Sequence, residues 1–141
     1  MPMLKHEDRE GVRKQLMGLA SPVRLVMFTQ DFECDFCAET RELVEEIAAL
    51  SDEVDAVIYD FATDRDEVDR YGIDKIPAIA VVGEKDYGVR FYGIPSGYEF
   101  VSLIEAIKMV ASGKSELSDA TKEAFAQLDE PVHFQVFVTP T

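Results

Sequence analysis

The stretch FTQDFECDFCAET, from Phe28 to Thr40, decides how this chain folds and where its chemistry lies. It holds both cysteines, Cys34 and Cys37, where an apolar strand-like run gives way to an acidic, helix-favouring one. A Cys-x-x-Cys at a strand-to-helix junction places two sulfurs on one face of a first helical turn, within reach of a disulfide bond. The sequence therefore predicts a redox pair, with a metal site and an inert pair as alternatives.

The two cysteines are expected to have different roles. Cys34, at the predicted helix N-terminus, lies near unpaired backbone N–H groups that favour its thiolate, so it should attack. Cys37, one turn deeper, is shielded and should resolve the mixed disulfide. The surrounding acids either form an ordinary solvated face or raise the pKa of Cys34, which would make the site a reductant more than an oxidant. These acids are Asp31, Glu33, Asp35 and Glu39.

A metal site has less support. Tetrahedral zinc needs about four ligands, and beyond the two thiols the chain offers His6 and His133, each far away in sequence. An iron–sulfur cluster shared between two chains is the other metal alternative. We expect neither a metal nor a cofactor.

Composition excludes several classes of protein. At 141 residues and 47% hydrophobic, the chain can bury the core of one ordinary domain. Its 28 acidic and 14 basic residues give a net charge of −14, which disfavours binding to nucleic acid or to anionic membranes. The charged opening lacks the apolar region of a secretory signal, and no apolar run approaches the ~20 residues of a membrane span. The expected location is the cytoplasm.

Residue patterning predicts an α/β fold with a mixed sheet in the order βαβαββα, preceded by one helix. Ser96 and Glu99 read as a capping box for the last helix of this order. The predicted helices cover residues 7–20, 35–50, 63–72 and 96–113, and the predicted strands cover residues 23–29, 54–61, 76–82 and 89–93.

The remaining residues repeat the start of the chain at an offset of 109. Leu128 falls on Leu19, Pro131 on Pro22 and Phe137 on Phe28, although so short a match can arise by chance. The repeat predicts one unit over residues 1–114, and the helix and first strand of an incomplete second unit over residues 115–141. The apolar run Val132 to Val138 would expose an unpaired strand, so we expect residues 115–141 to build or strengthen a homodimer.

Three segments resemble the thioredoxin superfamily: FTQDFECDFC, YGIDKIPAIAVVG and YGVRFYGIPSGYEFVSLIEAI. More narrowly, they resemble the N-terminal unit of the two-unit, glutaredoxin-like protein disulfide oxidoreductases of archaea and thermophilic bacteria. The resemblance implies a thioredoxin-like fold with a four-stranded sheet and helices on both faces. It also implies a cis Ile76–Pro77 bond facing the cysteines, beside which an extended substrate pairs, and a second cysteine pair just beyond residue 141.

The chain departs from the family pattern at two positions. Glu33 stands where thioredoxins carry tryptophan, and Phe28 stands where they carry a buried acid, so a thioredoxin-like proton relay to Cys37 is in doubt. The glutaredoxin Pro-Tyr dipeptide is also absent, and the acidic surroundings discourage glutathione, itself an anion. Protein disulfides are the expected substrates.

The prediction is thus a dithiol–disulfide oxidoreductase acting on protein disulfides, with a thiol or flavoprotein reductase as electron donor. Cys34 and Cys37 are the catalytic residues, and Phe36, Ile76 and Pro77 are candidate substrate contacts. Phe36 has an alternative role as ordinary core. The alternative function is a redox-inactive thioredoxin-fold docking or assembly module whose chemistry resides in a missing second unit.

Overall fold

The computed structural model describes residues 2–139. Within that range the elements follow one another as α1 (His6–Gln15), β1 (Val23–Thr29), α2 (Cys37–Ala48), β2 (Val54–Asp60), α3 (Arg65–Tyr71), β3 (Ala78–Val82), β4 (Val89–Tyr92), α4 (Tyr98–Ser112) and α5 (Asp119–Ala126). None of these helices has both the length and the apolar character needed to span a bilayer.

The four strands form one mixed sheet in the order β2-β1-β3-β4. Strands β1 and β2 are parallel, and β3 runs antiparallel to both β1 and β4. The predicted βαβαββα order and mixed sheet are confirmed. The two parallel strands are joined through α2, because a parallel pair cannot be closed by a tight hairpin.

The core has two layers because side chains of the central strand alternate between the two faces of the sheet. Leu25 and Met27 point to a cluster built with α1, α2 and α4. Val26 and Phe28 point to a smaller cluster built with α3 and the loop after it. All four side chains are at most 1% exposed, so β1 is buried on both faces, and helices cover both faces of the sheet as expected.

Three predicted helix boundaries were wrong. Helix α1 ends at Gln15 rather than at residue 20, since the chain turns through Gly18 at φ 70°. Helix α2 begins at Cys37 rather than at residue 35, because Phe36 takes the left-handed conformation at φ 66°. The capping box before α4 does not form: Gly97, at φ 63°, is the N-cap and offers no side chain to accept a bond.

Residues 113–139, beyond α4, are exposed apart from Ser115 and Thr121, which are half-buried. Ser118 caps α5 by accepting a hydrogen bond from the backbone N–H of Thr121, close to the start of the predicted helix. Residues 131–139 contain neither helix nor strand, since the predicted strand finds no neighbouring strand among the described residues. Residues 140 and 141 of the predicted second unit lie outside those residues.

Arg90 ties the outer strand β4 to the end of α3. Its guanidinium bonds both carboxylate oxygens of Asp86, at 2.9 and 2.7 Å, and its Nε donates to the carbonyl oxygen of Tyr71 at 3.1 Å. The Arg90 side chain is only 16% exposed. These bonds from Arg90 hold the pKa of Asp86 below its ordinary value of 3.8.

Replacing Asp86 by Asn should lower the free energy of unfolding by about 1 kcal/mol at neutral pH, a modest value because the pair is partly exposed. A depressed folded-state pKa stabilises the fold above the ordinary pKa and loses that contribution as the pH falls through the folded-state pKa. The difference in the free energy of unfolding between wild type and D86N should therefore be constant at neutral pH and shrink below pH 3.8. Urea titrations across the acid range measure it.

Asp52→Asn, which removes an exposed carboxylate elsewhere, is the matched control and should change stability by less than about 0.5 kcal/mol. A D86N effect that grows as the pH falls would contradict the assigned ion pair.

Candidate functional site

Cys34 and Cys37 form a disulfide where β1 gives way to α2. Their Cα atoms are 5.7 Å apart, within the usual range for a bridged pair. The two sulfurs differ in access, because Cys34 is half-buried in the loop while Cys37, the first residue of α2, is 2% exposed. An incoming sulfur therefore has easier access to Cys34.

The loop that carries Cys34 is held by local hydrogen bonds. Gln30 donates from Nε2 to the carbonyl oxygen of Phe32 at 2.7 Å. The carbonyl oxygen of Phe36 accepts from both Oγ1 and the backbone N–H of Thr40, at 2.6 and 2.9 Å. The expectation that both cysteines lie on the first helical turn was wrong, because Cys34 comes two residues before the N-cap. Its sulfur is nevertheless at the helix N-terminus, since it is bonded to that of Cys37.

Strand register brings Pro77 to the same end of the sheet. Phe28 of β1 pairs with Ala78 of β3 in antiparallel register, so Pro77 lies beside the end of β1, from which the cysteine loop departs. The Ile76–Pro77 bond is cis, as the resemblance implied. Pro77 is buried and Ile76 partly exposed, and the carbonyl oxygen of Pro77 accepts from the N–H of Gly93 at 2.9 Å.

A groove of about 280 Å³ opens beside the disulfide. Arg41 of α2 faces it and bonds Glu45 Oε1 at 3.0 Å. Sequence reasoning did not identify the side of the groove that α2 forms, although Ala38, Glu42 and Glu45 recur at the three- and four-residue spacing of one helix face. The lining residues are Thr29, Gln30, Asp31, Cys34, Cys37, Ala38, Arg41, Glu42 and Glu45.

Phe28, which stands where the family pattern has a buried acid, packs in the core beside two tyrosine rings. Its ring is fully buried and lies 5.7 Å from the ring of Tyr59 and 5.8 Å from that of Tyr71, centroid to centroid. Among residues 2–139, Thr40 is the buried polar side chain, and no carboxylate is buried with it. Cys37 lines the groove, so the groove rather than a buried acid is the available route for a proton leaving Cys37.

Phe36 is 57% exposed, so its alternative as core is wrong. Phe32, two residues before Cys34, is 59% exposed. Two large aromatic rings thus stand in solvent on either side of Cys34 in the sequence. Sequence reasoning considered only Phe36, although the alternation of Phe32 and Phe36 with acidic residues marks both as surface positions.

No three His, Cys, Asp or Glu side chains come together around a possible metal position anywhere in residues 2–139. His6 begins α1 and His133 follows α5, so neither lies in the cysteine loop.

Comparison with known proteins identifies similar chains. A family model described as Thioredoxin domain matches residues 26–105. The "Probable Thioredoxin" of Methanothermobacter thermautotrophicus is 36% identical over 86 residues, covering 60% of this chain and 92% of that protein. An alkyl hydroperoxide reductase component of Staphylococcus epidermidis is 30% identical over 105 residues, covering 73% of this chain and 18% of that protein.

A solved protein disulfide oxidoreductase from Aeropyrum pernix superposes with a TM-score of 0.79 at 27% identity, over 88% of this chain and 55% of that one. The chain spans less than a fifth of the length of the first curated relatives that it matches.

Replacing Phe36 by Asn should raise the free energy of unfolding of the oxidised protein by about 0.5–1 kcal/mol. Asn tolerates the left-handed conformation that costs a bulky residue about 1–2 kcal/mol, and little buried surface is lost. Chemical denaturation of the disulfide form measures it.

Phe32→Asn is the matched control, since Phe32 is equally exposed but does not have a positive φ; this variant should show no gain. A loss of more than about 3 kcal/mol for F36N, the cost of truncating a core aromatic, would contradict the exposed position of Phe36.

Proposed function

This chain belongs to the thioredoxin-domain family, and we propose that it is a dithiol–disulfide oxidoreductase acting on protein disulfides. The observation that carries the proposal is the bonded Cys34–Cys37 pair with unequal access: one sulfur half-buried in a loop, the other at the buried start of a helix. A purely structural disulfide does not need two sulfurs that differ in access, whereas a two-step exchange needs one sulfur that the substrate can reach and one that is shielded.

The reaction starts from the reduced pair. The Cys34 thiolate attacks one sulfur of the substrate disulfide, forming a mixed disulfide and releasing one substrate thiol after it takes up a proton. Cys37 then loses its proton through the groove and attacks the Cys34 sulfur, which restores the intramolecular disulfide and releases the second substrate thiol. Two electrons pass from the protein to its substrate, and the two released thiols take up two protons, one that Cys37 gives up and one from solvent.

Ile76 and Pro77 are proposed to hold the substrate chain. Proline offers no N–H to the sheet, and the register of β1 and β3 sets Pro77 at the end of the sheet where the cysteine loop departs. Ile76 is partly exposed there, so its backbone is a suitable partner for an extended segment. Phe36, exposed between the cysteines, is the proposed side-chain contact.

Catalytic turnover requires a reductant that returns the disulfide to the dithiol. A thiol or flavoprotein reductase is the proposed donor, and the similarity to a component of an alkyl hydroperoxide reductase, a protein named for a reductase activity, supports that class. The cytoplasm, where thiol systems keep such pairs reduced, is the proposed compartment.

Cys34→Ser should abolish turnover of insulin reduction by dithiothreitol, because the attacking sulfur is lost. Cys37→Ser should also fail to turn over but should accumulate a mixed disulfide with the substrate, which non-reducing gels and mass spectrometry detect.

Thermal unfolding of the reduced proteins is the control, since both serine variants should match the reduced wild type. Full activity of C34S would exclude this role for Cys34 and favour the alternative of a non-catalytic docking module.

Residues 115–141 are proposed as a separate unit that joins two copies of the chain. The support is their exposed apolar surface, with Phe134 at 70%, Val136 at 84% and Phe137 at 90% exposure. Within this segment Phe134 packs on Phe125 of α5, ring centroids 6.3 Å apart. Exposed apolar surface of this extent is typical of an interface.

Deleting residues 130–141 should convert a dimer to a monomer, because the deletion removes most of that apolar surface. Light scattering at matched concentration measures the mass. A monomeric mass both before and after deletion would reject the proposal, and far-ultraviolet circular dichroism checks that the remaining chain stays folded.

A further inference from the structure

The loop around Cys34 combines two features that stability alone does not explain. Phe32 and Phe36 expose 59% and 57% of their surface. Phe36 also holds a left-handed backbone, and so does Glu33, at φ 50°. Non-glycine residues rarely adopt this conformation, and those that do tend to occur at binding and catalytic sites. The exposed rings beside the disulfide are therefore available to contact a substrate segment.

The same surface is strongly acidic. Asp31, Glu33 and Asp35 alternate with the aromatic residues of the loop, and all three are exposed. On the adjoining helix face, Arg41 is engaged with Glu45. Between residues 31 and 45 the sequence carries one basic residue, Arg41, and six acidic ones: Asp31, Glu33, Asp35, Glu39, Glu42 and Glu45.

The loop on the other side of the cysteines does not offset this charge. Lys75, next to Ile76, bonds Asp74 Oδ1 at 2.8 Å, and its Nζ lies 4.8 Å from the centroid of the Tyr92 ring. Its positive charge is therefore matched by a neighbouring carboxylate. The entrance to the disulfide is left with an excess of negative charge.

We infer that the substrate is a protein segment whose disulfide is flanked by Lys or Arg together with an apolar residue. This deepens the proposed function and rests on it. Cations meet Asp31, Glu33 and Asp35, the apolar residue packs on the rings of Phe32 and Phe36, and the substrate sulfur reaches Cys34. Charge complementarity of this kind raises the association rate and rejects partners of like charge.

The test uses two peptides, each closed by one disulfide and carrying a leucine beside a cysteine. They differ only in having two lysines or two glutamates as flanking residues. Reduction by the full chain, recycled with dithiothreitol, should give a kcat/KM on the order of tenfold higher for the lysine peptide. The ratio should fall toward one as sodium chloride rises to about 1 M, where the screening length is ~3 Å.

The site variant D31N/E33Q/D35N should reduce that ratio to below about threefold, because it removes the local charge. The matched control D52N/E53Q/E84Q removes the same number of charges from exposed positions at the opposite end of the sheet, and should keep the wild-type ratio. Phe36→Asn should slow the leucine peptides relative to versions in which serine replaces leucine.

Equal rates for the two peptides would overturn this inference while leaving the oxidoreductase intact. If the control variant lowers the lysine-to-glutamate ratio of kcat/KM as much as the site variant does, the inference is also overturned. Net charge, rather than the charge of the loop, would then be responsible. If the wild type reduces neither peptide nor insulin, the proposed function itself fails.

Discussion

The register between β1 and β3 is the constraint on which the rest of this structure depends. Strand β1 pairs on one side with β2 and on the other with β3, and its side chains from Leu25 to Phe28 are almost completely buried. A shift of the register by one residue would turn the side chains of β1 to the opposite face of the sheet. Leu25 and Met27 would then point to the cluster that holds Val26 and Phe28, and the reverse. The pairing of Phe28 with Ala78 is therefore fixed by the core, and it fixes the position of Pro77 relative to the cysteine loop.

The site takes its chemical asymmetry from this rigid end of the sheet. Helix α2 packs on β1 and β2 through buried residues such as Leu43 and Ile47, which places its first residue, Cys37, inside the protein. Cys34 lies outside the helix because Phe36 interrupts the helical conformation. Unequal access to the two sulfurs thus follows from where a helix begins, and that beginning is set by one backbone conformation and two hydrogen bonds from Thr40.

The molecule carries two contrasting surfaces. Around the disulfide, aromatic rings alternate with carboxylates, a combination that favours a charged partner bound transiently and sensitive to salt. The residues after α4 expose several apolar side chains, Phe134 and Phe137 among them, and α5 contributes no buried side chain. The net charge of −14 reinforces the first preference and opposes non-specific association of the second surface.

The sequence by itself determined the order of the elements, the mixed sheet and the position of the cysteine pair, because these follow from apolar periodicity and local spacing. Tertiary structure decided what local patterns leave open. The start of α2 and the N-cap of α4 depend on left-handed residues that propensity does not reveal, as Phe36 and Gly97 demonstrate. The position of Pro77 beside the cysteine loop arises only when β1 and β3, which are distant in the chain, pair with each other. Such contacts join residues far apart in the chain, so their geometry is set by the packing of the whole core and not by neighbouring residues.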